Sequence, residues 1–343
     1  MTPLRLGIVG CGAVAEQYHL PAVAACADVE LVALADPDLH RARELGERFG
    51  AALVTDDHAR LAGAVDAAIV AVPNSLHAPI ASELAAAGIH VLVEKPLART
   101  TAECDAIAAA ARAGGVVAAV GHDFRQFPVA RTAKAIIAGE LIGEIDSVEL
   151  LQSTGGRWPY ATTYVYSRED AGGGVLIDFG VHMLDLLSWW LGALSVERYA
   201  DDAAGGVETE CALELATASG APVLVEVTRL RPMRDTAVVR GTNGVLEIGI
   251  FEPALLRLTP GAGVGSLTGN VSDPEFDEAP LRTVFGRQLE DFVRAVHTGS
   301  EPAVPLAAGR RAVELVERCY AVRAPLRRPW DWPEAYDGVG AAS

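Results

Sequence analysis

The chain of 343 residues is poor in cysteine, in aromatic side chains and in positive charge. Its five cysteines, Cys11, Cys26, Cys104, Cys211 and Cys319, are scattered, odd in number and without a CxxC pair. Neither a disulfide framework nor a zinc site is expected from them. Lys and Arg number 28 against 45 Asp and Glu, a formal net charge of −17. That balance argues against nucleic acid or an anionic membrane as a general partner, and otherwise serves solubility. No charge-free apolar run reaches the ~18 residues of a membrane span. "MTPLRLGIVGCGAV" lacks a signal-peptide pattern. The expectation is a reduced, cytoplasmic protein, for which the Asn-Val-Ser triplet at Asn270 has no glycosylation meaning.

Half of the residues are hydrophobic, and their order shows the architecture. Short apolar runs, "LRLGIVG", "VELVALAD", "VDAAIVAVP", "IHVLVEKP" and "VVAAVG", alternate with amphipathic stretches such as "DLHRARELGERFG" and "TTAECDAIAAAARAGG". Parallel strands joined by crossover helices give that rhythm, so residues 1–122 are expected to form a doubly wound sheet. Beyond residue 122 the rhythm changes. After the helix "PVARTAKAIIAGELIG", short runs separated by Gly, Asn and Pro turns predict a mostly antiparallel sheet, with a hairpin at "TNG". "GAGVGSLTGNVSDPEFDEAP" reads as a polar loop, and "FGRQLEDFVRAVHTG" and "AAGRRAVELVERCYAVR" as closing helices. Residues 123–343 are thus expected as a second α/β domain.

"GCGAVA" at residues 10–15 is GxGxxA, directly after a strand and opening a helix. Gly10 permits the tight turn, Gly12 lets a pyrophosphate approach, and Ala13, Val14 and Ala15 begin the helix whose N-terminus faces the phosphates. Small residues also serve close packing, so context decides. Asp36 ends the second strand, where an acid accepts hydrogen bonds from the ribose hydroxyls and repels a 2′-phosphate; it is also placed to cap the next helix. Arg41 and Arg43 follow a turn later. The expected cofactor is NAD rather than NADP.

Two further patterns point to chemistry. "EKP", Glu94 to Pro96, follows a strand's carboxyl end, where open α/β sheets place ligands. "GGGVLIDFGVHMLDLLSWWL", residues 172–191, reads as a greasy helix, yet carries Asp178, His182 and Asp185 at spacings of four and three. A regular helix puts these on one face. The plain alternative is a set of satisfied polar groups in a domain interface. A metal site is not expected, because Lys95 nearby opposes a bound cation.

These segments, with "ADPD" and "AVPNSLHAPIASELAAAGIHVLVEKPLA", resemble the glucose–fructose oxidoreductase / inositol dehydrogenase (Gfo/Idh/MocA) family over nearly the whole chain. The resemblance implies an NAD(P)-binding Rossmann domain followed by a substrate domain with a large open sheet, which pairs subunits into homodimers or homotetramers. It implies hydride transfer between nicotinamide and a secondary alcohol or ketone of a sugar, amino sugar or cyclitol. Lys95, Asp178 and His182 match the family's catalytic trio, with His182 as proton acceptor and Asp178 orienting it or binding a substrate hydroxyl. Pro73, Asn74 and His77 match the loop along the cofactor, although Asn74 also suits a turn and His77 a helix cap. Arg125 is expected near nicotinamide or substrate. His122 and Asp123 depart from the residues usual beside it. Trp158 and Tyr160 are candidates for a sugar-stacking wall, or simply pack. Two alternatives share the scaffold: tightly held NAD used transiently for elimination or glycoside cleavage, and a non-enzymatic NAD-bound regulator.

Overall fold

The computed structural model describes residues 2–154, 163–249, 255–261, 267–269 and 280–326. Six strands form the first sheet: β1 (Leu4–Val9), β2 (Val29–Ala35), β3 (Leu53–Thr55), β4 (Ala67–Val70), β5 (His90–Glu94) and β6 (Ala118–Gly121). Their order is β3-β2-β1-β4-β5-β6 and every pairing is parallel. Both faces are covered, which is why the strands read as continuous apolar runs. Leu6 and Ile8 of β1 join one buried cluster; Val9, with Val70 and Val93, joins the other. The order reverses between β1 and β4, so the loops after those strands open the crevice in which such sheets bind ligands.

Local chemistry explains the helix ends. Helix α1 (Leu20–Ala25) is preceded by a π-helical turn, Ala15–His19. Helix α2 (Leu39–Phe49) is capped by Asp38, which accepts from His40 N and Arg41 N at 3.1 Å. Helix α3 spans Asn74–Ala86. Helix α4 (Thr101–Gly114) starts on Thr100, whose hydroxyl accepts from Glu103 N, the forward half of a capping box.

The second sheet has nine strands: β7 (Ile145–Ser153), β8 (Leu194–Asp201), β9 (Glu210–Thr217), β10 (Pro222–Thr228), β11 (Thr236–Gly241), β12 (Gly244–Gly249), β13 (Leu256–Pro260), β14 (Leu267–Gly269) and β15 (Arg323–Pro325). The order is β14-β13-β12-β11-β7-β10-β9-β8-β15. Pairings are antiparallel except β7 with β10 and β8 with β15. The expected hairpin joins β11 to β12 through Thr242 and Asn243. Strands β3, β14 and β15, three residues each, were not expected, and β14 crosses the stretch read as a polar loop; three residues are too few for a hydrophobic period to show.

Helix α5 (Pro128–Ala138) precedes β7, and α6 (Arg168–Ala171) and α7 (Val181–Leu191) lie between β7 and β8 in the chain, followed late in it by helices Pro280–Thr298 and Leu306–Ala321. A second π turn, Leu176–Gly180, runs into α7. The segment Arg168–Leu191 is long and apolar enough to cross a membrane, yet 72% of its most apolar window is buried inside the protein. Its apolar side chains, Leu176, Ile177, Met183, Leu184 and Leu187, join the cluster that runs from the first sheet into the second.

The two motif glycines differ in kind. Gly10 has φ +94°, and a Cβ there meets the Ala71 carbonyl oxygen at 2.2 Å; at Gly12 a Cβ meets nothing within 4 Å. Gly10→Ala should therefore destabilise the ligand-free protein by ~1–3 kcal/mol, read from urea unfolding, whereas Gly12→Ala should leave its stability unchanged. Equal stability of the two variants would refute this division.

Candidate active site

The carboxyl ends of β5 and β6 face the segment Leu176–Leu191, and the site is built from that meeting. Glu94, the last residue of β5, is buried. Its Oε1 lies 2.8 Å from His19 Nε2, and its Oε2 accepts from Lys95 N at 3.1 Å. Burial pushes this carboxyl up, but the bond to His19 and the charges of His19 and Lys95 outweigh it and hold Glu94 below its ordinary range. Glu94 and His19 thus tie the β5 loop to the helix that follows the glycine turn.

His77 and Asn74, expected along a cofactor, are both buried. The His77 ring is buried, with Nδ1 2.7 Å from the Pro96 carbonyl and Nε2 2.9 Å from that of Val72. Burial lowers its pKa, so the ring is neutral and donates through one nitrogen at a time. Asn74 is buried and donates to the Ala171 carbonyl at 2.9 Å. His77 braces the loop around Lys95, and Asn74 ties the start of α3 to the end of α6.

The polar helix starts on a buried carboxylate that the sequence did not single out. Glu208, fully buried, accepts from Gly174 N at 2.9 Å, Leu176 N at 3.2 Å and the Tyr320 hydroxyl at 2.7 Å. A negative charge at a helix N-terminus is favourable. Gly174 is required because a Cβ there lies 2.0 Å from the Glu208 carbonyl oxygen.

Asp178, His182 and Asp185 do not form one constellation. The π turn inserts an extra residue in the turn that carries Asp178 and so alters the four-residue stacking expected of a regular helix. Each group takes a different partner. Lys95 Nζ donates to the Asp178 carbonyl at 2.7 Å and to its Oδ1 at 3.2 Å. Arg229, just past β10 and unforeseen, donates to Asp178 Oδ2 at 2.5 Å. Asp178 thus pairs with two cations, Lys95 and Arg229. His182 stacks on Phe124, with centroids 4.4 Å apart, and its Nδ1 faces Asp123 Oδ1 at 3.5 Å. Asp185 accepts both prongs of Arg125, at 2.7 and 2.6 Å. Arg125, expected beside nicotinamide or substrate, is 6% exposed and also lies over the Trp189 ring, so its charge is spent inside the structure.

The charges left in the site are unequal. Burial, then Lys95 and His122, push the His182 pKa well below its ordinary value, so the imidazole is neutral at pH 7. Burial, then the Glu94 charge, raise Asp123 to about 8. Burial and Asp178 raise the Tyr164 hydroxyl. Trp158 and Tyr160 lie outside the described residues. Among the described residues no group of three His, Cys, Asp or Glu side chains is placed to hold a metal ion.

At the other end of the crevice, the residues fit a dinucleotide. The turn after β1 leaves open space over Gly12, and Ala13 and Val14 are partly exposed beside it. Asp36 braces the turn: Oδ2 accepts from Cys11 N at 2.6 Å and Oδ1 from Asp38 N at 2.8 Å. Arg41 donates to the Cys11 carbonyl and pairs with Glu16 at 2.8 Å.

Residues 4–122 match the family profile described as "Oxidoreductase family, NAD-binding Rossmann fold", and residues 130–247 that of the "GFO/IDH/MocA C-terminal domain". A dTDP-3,4-didehydro-2,6-dideoxy-alpha-D-glucose 3-reductase of Actinomadura kijaniata is 32% identical over 337 residues, 95% of this chain and 96% of the relative. The chain spans about half the length of three other curated relatives, which are 34% to 36% identical to it. A 3-ketoreductase from Actinomadura kijaniata, solved with NADP and TDP-benzene, superposes with a TM-score of 0.82 at 25% identity, covering 96% of this chain and 100% of that one. A protein of gentamicin A biosynthesis, solved with NAD, gives 0.79 at 28% identity over 94% of each chain. With the parallel sheet, the glycine turn and the Lys95–Asp178 contact, these likenesses identify the chain as a member of the Gfo/Idh/MocA family of oxidoreductases.

Proposed function

We propose that the protein is an NAD-dependent dehydrogenase or ketoreductase of a secondary alcohol or ketone on a sugar, amino sugar or cyclitol. The observation that carries this reading is the pairing of a fixed cation with a neutral imidazole: Lys95 is held by Asp178, and its charge helps keep His182 deprotonated. On this reading residues 1–122 hold the cofactor and residues 123–343 hold the substrate and join subunits through the open sheet.

When bound, the nicotinamide supplies the acceptor or donor of hydride. The chain's residues handle the proton and the charge. In oxidation, His182 takes the proton of the substrate hydroxyl, for which a neutral ring is required. Lys95 stabilises the negative charge that develops on the substrate oxygen, while Asp178 and Arg229 keep its ammonium in place. In reduction, His182 returns the proton. The polyhydroxylated substrate class is supported by the activities for which the relatives are named and by a site rich in hydrogen-bonding groups.

Lys95→Ala should lower kcat by ~10²–10³-fold, the cost of losing one donor to a developing oxyanion, with the Kd for NAD, read by fluorescence titration, changed far less. Near-normal turnover would remove Lys95 from the mechanism.

Cofactor choice rests on Asp36, whose carboxylate is fixed at the end of β2 where it opposes a 2′-phosphate, and on Arg41, whose guanidinium is already paired with Glu16. NAD should exceed NADP in kcat/KM by at least about tenfold, equivalent to ~1.4 kcal/mol. Equal values, or a preference for NADP, would overturn this assignment.

A further inference from the structure

We propose that Asp123 is the positioning residue for His182 and sets which of the two ring nitrogens carries the proton. The inference rests on His182 being the proton carrier, as above. Three observations support it. The Asp123 carboxyl and the His182 ring are both buried, with side-chain exposures of 7% and 6%, and Oδ1 lies 3.5 Å from Nδ1. His182 Nδ1 is shut off from solvent and, among the described residues, has no hydrogen-bond partner within ordinary distance, so Asp123 is the acceptor it faces. Stacking on Phe124, the residue next to Asp123, fixes the plane of the ring. A separation of 3.5 Å is long for a hydrogen bond, and such contacts tighten when substrate and cofactor fill a site.

The two protonation states of the pair have opposite uses. With one proton between them and the carboxyl ionised, Nδ1–H donates to Asp123, and Nε2 presents a lone pair. Nε2 then accepts the hydroxyl proton, the C–H electron pair leaves as hydride to the nicotinamide, and the C–O bond becomes a carbonyl. With a second proton, shared between the carboxyl and the ring, Nε2 carries hydrogen and is the donor that ketone reduction needs. The pair titrates as a unit. Burial and the Glu94 charge put the Asp123 carboxyl at about 8, while burial, Lys95 and His122 keep the lone ring neutral.

Several charged groups face the pair from the elements packed against it. Glu94 and Lys95 face it from the end of β5, with His19 on Glu94. Asp178 and Asp185, from the helix of His182 itself, are engaged by Lys95, Arg229 and Arg125. Tyr18 lies near Asp123, and the Tyr164 hydroxyl, near Asp178, is raised out of the range. His122 and His77 are lowered by burial and stay neutral.

Oxidation, followed as kcat/KM, should rise with pH through an apparent value near 8, and reduction should fall through the same value. In Asp123→Asn the shared limb should move down by more than one pH unit, to the titration of His182 alone, and oxidation above pH 8 should slow by more than about tenfold. Asn replaces a neutral acid of the same shape, and the thermal midpoint of the variant reports its folding. A variant that is less active, with the limb unmoved, would make Asp123 merely structural and overturn the inference. Long-range ¹H–¹⁵N spectra of the ligand-free protein, with His182 assigned through His182→Gln, test the same pair without turnover. The His182 proton should pass from Nε2 to Nδ1 as pH rises through about 8. A single tautomer from pH 6 to 9 would overturn the inference even in an active enzyme, whereas the tautomer switch in a protein inactive on every polyol would fault the proposed reaction instead.

Discussion

The bond from Lys95 to Asp178 joins the two halves of the molecule at the point where chemistry is expected, and most other features arrange themselves around it. Lys95 directly follows a strand of the first sheet; Asp178 rides on the π turn that leads into a helix of the second domain. A lysine carries a long stem with large rotamer freedom, and an ion pair in water is worth little. Here the ammonium is 21% exposed and the carboxylate 14%, so water competes less and the pair is worth more than a surface bridge. The surroundings limit its movement from both sides. His77 braces the loop of Lys95, and Arg229 occupies the far oxygen of Asp178.

The same helix carries a second tie, from Asp185 to Arg125. A two-pronged pair with 1% and 6% exposure cannot be read simply as stabilising, because both charges were taken out of water to form it. Its value lies in geometry. Arg125 follows Asp123 by two residues on the short turn after β6, and Asp185 follows His182 by three residues on α7. Locking Arg125 to Asp185 therefore sets how closely Asp123 approaches His182. On the proposed mechanism, a pair that does no chemistry thus holds the pair that does.

Much of this was legible in the chain. Both sheets follow from apolar runs and turn residues, and the glycine turn, Asp36, Lys95 and the polar stripe of the helix stand out because their residue types are unusual in their surroundings. What the sequence hid has two physical causes. Strands β3, β14 and β15 are too short for periodicity. The partners of the stripe are distant in the chain: Lys95 meets Asp178 across 83 residues, and Arg125 meets Asp185 across 60. Spacing along a helix tells which side chains share a face, not what each meets. Glu208 was invisible for the same reason, since nothing beside it in sequence shows that it receives two amides of a helix start and a tyrosine hydroxyl.

The two π turns explain why spacing misled at the most important place. Each adds a residue to a helical turn: Ala15–His19 beyond the glycine turn, and Leu176–Gly180 before α7. A wider turn costs hydrogen-bond quality, so it persists where packing enforces it. In the first, it brings His19 onto buried Glu94; in the second, it directs Asp178 to Lys95 while His182, four residues on, faces Asp123. A regular helix with the same residues stacks Asp178 and His182 above one another and directs both toward one partner. By separating them, the π turn lets one segment hold Lys95 through Asp178 and set His182 beside Asp123, the two placements on which the proposed reaction depends.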